Sequence, residues 1–257
     1  GLFAAGRFPG PNNDTSIIDY ITTSSGGGTV DFGNLYNLPC SSTGFSDATR
    51  AIYTGGYDAR NSPYPKSNVM SFVTIATTGD SSDFGDAVES GRRDASFSNA
   101  TRGFTAGLET AAGDSKGIEM AIIQTKGSAI DFGELTGAGG FEGNTQCNGG
   151  ASSQTRGIIF SGMSSPPAAR NIIEYLTLSS LGNSVNFGDI TDIGNNSGAG
   201  ACGNQTRGVV KTSNGNNGNV LHYITIATEG NSTDFGDLKT GRRVYSSFCD
   251  AHGGLGV

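Results

Sequence analysis

Three features of the sequence predict an all-β fold assembled from repeated four-stranded sheets. Glycine supplies 42 of the 257 residues and apolar side chains only 35%. That balance suits short strands joined by tight turns and leaves few positions for helices with a continuous buried stripe. Short β-branched or aromatic runs ending on glycine, such as "TRAIYTGG" and "TRGIIFSG", recur, whereas helical periodicity never lasts beyond a few residues. The segment "GNSTDFGD" returns as "GGGTVDFGN", "GDSSDFGD", "GSAIDFGE" and "GNSVNFGD".

These copies centre on Phe32, Phe84, Phe132, Phe187 and Phe235, spaced 52, 48, 55 and 48 residues apart. A period near fifty with Gly-terminated strands is that of a five-bladed β-propeller, each repeat forming one four-stranded antiparallel blade. The elements follow a fixed order. Segments such as "GRRDASFSN" give the first strand. The blocks "DATRAIYTGG", "NATRGFTAG", "SQTRGIIFSG" and "NQTRGVV" give the second, opened by Arg50, Arg102, Arg156 and Arg207. "IDYI", "MSFV", "IEMA", "IEYL" and "LHYI" alternate as half-buried third strands do and end on Ile21, Val73, Ala121, Leu176 and Ile224. A turn on Gly27, Gly79, Gly127, Gly182 or Gly230 then leads to the Asp-Phe-Gly strand. Its Phe is expected as a core wedge and its Asp or Asn as a turn cap.

The repeats resemble kelch-type propeller repeats: an Arg before one strand, a strand closing on Gly-Gly ("AIYTGG"), then an aromatic strand. Phe stands where kelch repeats place Trp, a residue the chain lacks. The combination of "YITIAT", "DFGDL", "TRG" and "AHGGL" is also similar to the propeller repeats of structural and tail-fibre proteins of bacteriophages, notably marine cyanobacterial phages. The resemblance spans essentially the whole chain. It implies a non-enzymatic, virion-associated module for binding, adhesion or decoration, made in host cytoplasm and displayed at an extracellular surface.

The ends suggest ring closure. "GLFAAG" matches "GIIFSG", so the chain starts at a second strand, and "GRRVYSSFCD" matches the first-strand segment "GRRDASFSN". Residues 1–257 therefore read as one propeller domain, with blade one completed by about 241–250 and 251–257 left as a tail. Shared closure removes exposed strand edges. "GLFAAGRF" lacks the basic and long apolar regions of a secretory signal, and without Met it reads as a processed chain or a fragment.

A net charge of −7 and a pI near 4.7 exclude a basic face for nucleic acid and disfavour anionic membranes. No apolar run approaches the ~18 residues of a membrane span. Cys40, Cys147, Cys202 and Cys249 lack metal-ligand spacing and read as free thiols.

No residue is assigned a catalytic role. Asp-Phe-Gly holds magnesium in protein kinases, but the accompanying phosphate loop, strand lysine and His-Arg-Asp are absent: His222 and His252 are the only histidines. "STDFGD" partly resembles the sialidase Asp box, itself a turn element away from catalysis. Asp83/Asp86, Asp131/Glu134 and Asp234/Asp237 pair acids at i and i+3, so calcium is the alternative to a capped turn. Blades one and four place an Asn in these pairs, so no metal or cofactor is expected. The recurring Arg residues are read as struts reaching a neighbouring Asp-Phe-Gly carboxylate.

What recurs in every blade holds the fold, and binding is expected where blades differ. The third-strand aliphatic always lies ten residues before the Asp or Asn. Spacings across the second-to-third connection are 22, 18, 19 and 16, and across the fourth-to-first 18, 18, 24 and 20. Both connections emerge on one face of an up-and-down blade, and variable loops on a rigid scaffold favour recognition. Tyr57, Arg60, Tyr64 and Phe141 are the contact candidates there, since aromatics and Arg dominate binding hot spots. The expected partner is a cell-surface glycan or a neighbouring virion protein, with a homo-oligomer within a larger assembly also compatible. The alternatives are a secreted glycoside hydrolase or lyase and a self-assembling structural subunit.

Overall fold

The computed structural model describes residues 1–7, 14–36, 41–57, 65–92, 95–136, 149–160, 163–164, 168–169, 171–191, 200–212 and 218–241. These residues form a five-bladed β-propeller and contain no helix. Blade one holds β1 (Leu2–Arg7), β2 (Asp14–Tyr20) and β3 (Val30–Asn34). Its proposed completing strand at 241–250 lies, beyond Gly241, outside the described residues. Blade two is β4 (Thr43–Ser46), β5 (Arg50–Thr54), β6 (Val69–Thr74) and β7 (Ser82–Asp86). The short β8 (Gly91–Arg92) precedes blade three, which is β9 (Ala95–Ser98), β10 (Arg102–Ala106), β13 (Gly117–Ile122) and β14 (Ile130–Glu134), with hairpin β11 (Glu109–Thr110) and β12 (Gly113–Asp114) between β10 and β13. Blade four is β15 (Gly149–Ser152), β16 (Arg156–Phe160), β19 (Ile172–Thr177) and β20 (Val185–Asp189), with hairpin β17 (Met163–Ser164) and β18 (Ala168–Ala169). Blade five is β21 (Ala201–Gly203), β22 (Arg207–Lys211), β23 (Val220–Thr225) and β24 (Thr233–Asp237).

Every blade is an antiparallel meander in chain order. The first strands β4, β9, β15 and β21 line up as inner neighbours. Hydroxyls stitch three of them together: Ser98 Oγ donates to Ser46 O at 2.6 Å and Ser152 Oγ to Ser98 O at 2.6 Å. Their sequences, TGFS, ASFS, GGAS and ACG, carry no charged residue.

The Asp-Phe-Gly triplet sits, as expected, in the strand after the glycine turn, and forms a β-bulge there. Met70 pairs Gly85 and Ser71 pairs Asp83, so Phe84 is skipped, and the same shift recurs in the other blades. Asp131 and Asp234 accept from the N–H of Gly133 and Gly236 at 3.1 and 2.9 Å, within the strand. Turn capping falls instead to Asp47, Asn99, Ser153 and Asn204, which accept the N–H groups of the Thr and Arg that follow.

Hydrophobic packing occurs between blades. Four clusters fill the four successive seams, for example Ile158, Phe160, Ile173 and Phe187 of blade four against Val210, Ile224 and Ile226 of blade five. The recurring Phe is the wedge at Phe32, Phe84, Phe132 and Phe187, each 2–4% exposed. Phe235 departs from that expectation: it is 52% exposed, because no described residue of another blade covers it. Each sealed seam is also hydrogen bonded. Gly79, Gly127, Gly182 and Gly230 donate to Phe32 O, Phe84 O, Phe132 O and Phe187 O at 2.7–2.9 Å. A Cβ on Gly33, Gly85, Gly133 or Gly188 would collide with the carbonyl of that incoming glycine.

The recurring Arg residues are struts of a different kind from that expected. Arg50 Nη1 donates to Ile123 O at 3.2 Å, Arg102 Nη1 to Leu178 O at 2.8 Å and Arg156 Nη1 to Ile226 O at 3.3 Å. Their hydrogen-bond acceptors are next-blade carbonyls rather than the Asp-Phe-Gly carboxylates, and Arg156 Nη2 also pairs with Glu229 of blade five at 3.7 Å. Arg207 stacks on Tyr223 at 4.7 Å, as Arg156 does on Tyr175 at 4.7 Å.

Candidate functional site

The meander puts the second-to-third and fourth-to-first connections on one face and the short turns on the other. On the variable face, blades two and three build an ordered layer above their seam. Gly55 turns at φ +68° and leads into Gly56, which donates to Gly91 O at 2.8 Å, while Gly91 N donates to Ser67 O at 3.2 Å. A Cβ at Gly55 would fall 2.8 Å from Gly91 O, so glycine permits this approach. Tyr57 bridges Lys66, and β8 pairs with β11 through Arg92 and Glu109.

Four side chains converge there. Arg92 donates to Glu109 Oε1 through Nε at 3.0 Å and Nη2 at 2.6 Å. Lys66 Nζ donates to the same oxygen at 3.2 Å and to Thr110 O at 2.5 Å. The Arg92 guanidinium lies over the Tyr57 ring, 4.7 Å from its centroid. Burial pushes the Glu109 carboxyl upward, but the hydrogen bonds and charges of Arg92 and Lys66 outweigh it and hold the group below its usual range. Two cations share one carboxylate, so the cluster keeps a net positive charge on a protein of net charge −7. Such a rigid aromatic-cationic arrangement suits carboxylate or hydroxyl recognition better than bond cleavage.

The nearest acid pair lies below, at the same seam. Glu119 accepts from Val88 N at 2.9 Å and Glu89 N at 2.8 Å. Burial raises its pKa, those two bonds oppose the shift, and the charges of Glu89 and Asp131 add to it. At 4% exposure Glu119 touches no solvent-borne substrate; it anchors the connection that leads to Arg92. Glu174 plays a matching part in blade four, accepting from Thr136 Oγ1 at 2.7 Å and Ser184 Oγ at 2.9 Å.

The constant face holds an open polar cleft of about 310 Å³ between blades four and five, lined by Ser153, Gln154, Thr155, Arg156, Gln205 and Ala227. In the blade two–three seam Gln124 fills the corresponding space, donating to Asp47 and Thr49. The methyl of Ala227 is too short to do so and has no donor.

Of the contact candidates, the structure places Tyr57 in the variable-face cluster. Arg60, Tyr64 and Phe141 lie outside the described residues, as do Cys40, Cys147 and Cys249, while Cys202 is half-buried in β21. Among the described residues no three His, Cys, Asp or Glu side chains gather as a metal group. Lys66, Arg92 and Glu109 were not singled out by the repeats, because they are separated by 26 and 17 residues and meet only across a blade boundary. The one available signal was Arg92 within "GRRDASFSN".

No family model matches the sequence, and no curated protein does. In fold, 215 solved chains are similar. One of them, described as "Structure of YjhT", superposes with a TM-score of 0.71 at 10% identity, over 95% of this chain and 86% of that one. The likeness to that propeller is one of fold, and it agrees with the blades read from the spacing of five phenylalanines.

Proposed function

We propose that this chain is a non-enzymatic binding module that engages a surface glycan or a protein neighbour through its variable-loop face. The observation carrying this reading is the pairing of an uncharged, Gly/Ser-rich set of inner strands with an ordered cationic-aromatic cluster at the variable face. A glycosidase of the two-carboxylate type needs accessible carboxylates about 5–9.5 Å apart. The four described inner strands offer none, and Glu119 is sealed in a seam. Placement on a phage particle, as a tail-fibre or decoration domain, draws its support from the resemblance of the repeats. A glycan array tests the binding reading: selective signal that falls at least tenfold in Arg92→Ala supports it. Flat binding, with no capture of a virion protein, sinks it. Release of reducing ends from polysaccharide by the unsubstituted protein would favour the enzyme alternative.

A further inference from the structure

We infer that the uncovered outer edge of blade five is the docking surface for the Gly26–Gly28 turn of blade one, and that this contact latches the ring. At each sealed seam the bulged Phe, the glycine after it and the incoming glycine turn meet, and at the last three an Arg strut joins them. Blade five presents all of its three parts. Phe235 packs edge-on against Tyr223 as Phe187 does on Tyr175, yet is 52% exposed. Gly236 keeps φ +133°, although a Cβ there would meet nothing within 4 Å, so its glycine serves no contact now formed. Arg207 stands over Tyr223 in the pose of Arg156.

Blade one presents the complement. Gly27 has φ +147°, close to the +150 to +153° of the four glycines that dock at the other seams. Ile21 is half-buried, whereas its repeat equivalents Val73, Ala121, Leu176 and Ile224 are buried. Two halves of one repeated joint are thus present in one chain. A rigid second copy fits less well: every seam repeats the same rotation, so its later blades would run onto the arc the first copy already occupies.

By repeat equivalence, Gly27 N and Thr29 N donate to Phe235 O and Asp237 O, and Arg207 reaches the carbonyl of Thr23. One bond is missing. Asp80, Asn183 and Asn231 accept from Asn34 N, Glu134 N and Asp189 N at 2.8–3.0 Å, and Ser128 from Asp86 N at 3.3 Å. Blade one carries Gly28 there, which has no side-chain acceptor for Asp237 N–H. The fifth seam is therefore the first to open.

Native-state hydrogen exchange on the full chain tests this. Gly27 and Thr29 amides should be slowed at least ~100-fold relative to the free chain, less than Gly230 and Ser232, and Phe235→Asp should release only the first pair. Exchange of Gly27 and Thr29 at free-chain rates overturns the latch, as does protection that rises with protein concentration. Should Phe235→Asp fail to fold, Thr29→Cys with Asp237→Cys, the four native cysteines changed to Ser, gives a second readout. An intrachain disulfide is expected, as for a control pair at Asp189 and Ser232. Disulfides formed only between chains, or in the control alone, overturn the latch.

Discussion

The two faces of this propeller are held by different physics. On the constant face, the turns repeat one solution: a capping oxygen at Asp47, Asn99, Ser153 or Asn204, and, after the first three, an Arg that reaches the next blade's backbone. At Asp47 burial pushes the carboxyl up, and the N–H of Arg50, the Gln124 amide and Thr49 pull it below the usual value. On the variable face no such solution recurs. The layer above blades two and three is held by one carboxylate, Glu109, shared by Lys66 and Arg92. Repetition marks what the ring requires. A charge cluster found at one seam can change without loss of the ring.

That contrast predicts unequal sensitivities. The largest loss is expected in the seams: Phe160→Ala, at 0% exposure, should cost about 3–5 kcal/mol in urea denaturation. Tyr57→Ala on the variable face should cost under about 1 kcal/mol. Comparable costs would erase the distinction.

Two glycines with nearly equal φ sharpen it further. Gly133→Ala and Gly127→Ala carry similar backbone strain at φ +156° and +150°, but only the Gly133 methyl enters the Gly182 carbonyl. Gly133→Ala should therefore be the worse by roughly 1–2 kcal/mol. Equal costs would show that the seam relaxes freely.

The Arg strut should contribute less. Arg102→Ala removes a 2.8 Å bond to Leu178 O and should lower stability by about 1 kcal/mol. An unchanged melting temperature would end the strut interpretation.

The smallest effect should be one of pH. The folded-state pKa of Glu109 is lowered, so its contribution is complete above the ordinary glutamate value of about 4.3 and is lost as pH falls through the folded value. Stability of the Glu109→Gln variant should lack that acid-side component while matching the seam variants nowhere else. An identical acid slope in both proteins would remove Glu109 from the account.

Much of the fold was legible because the blades repeat. A Phe every 48–55 residues, a fixed ten-residue turn and an Arg opening four of the second strands give blade number, strand order and the variable face. The bulge was not legible, since the triplet reads alike in a regular and in a bulged strand, and only the skipped pairing at Phe84 distinguishes them. The site was legible only in part. Tyr57 belongs to an anomalous loop, but Glu109 looks like any surface acid until β11 pairs with β8.

The sequence by itself therefore determined the architecture, because local strand and turn preferences repeated five times leave one economical way to bury the recurring phenylalanines. Only the tertiary structure decided which partners those repeats take. It turned the Arg toward carbonyls, brought Lys66 and Arg92 onto one oxygen, and left Phe235 exposed where its four counterparts are covered. The physical reason is range: strands form from neighbours in sequence, whereas seams join residues about fifty positions apart, which no local pattern specifies.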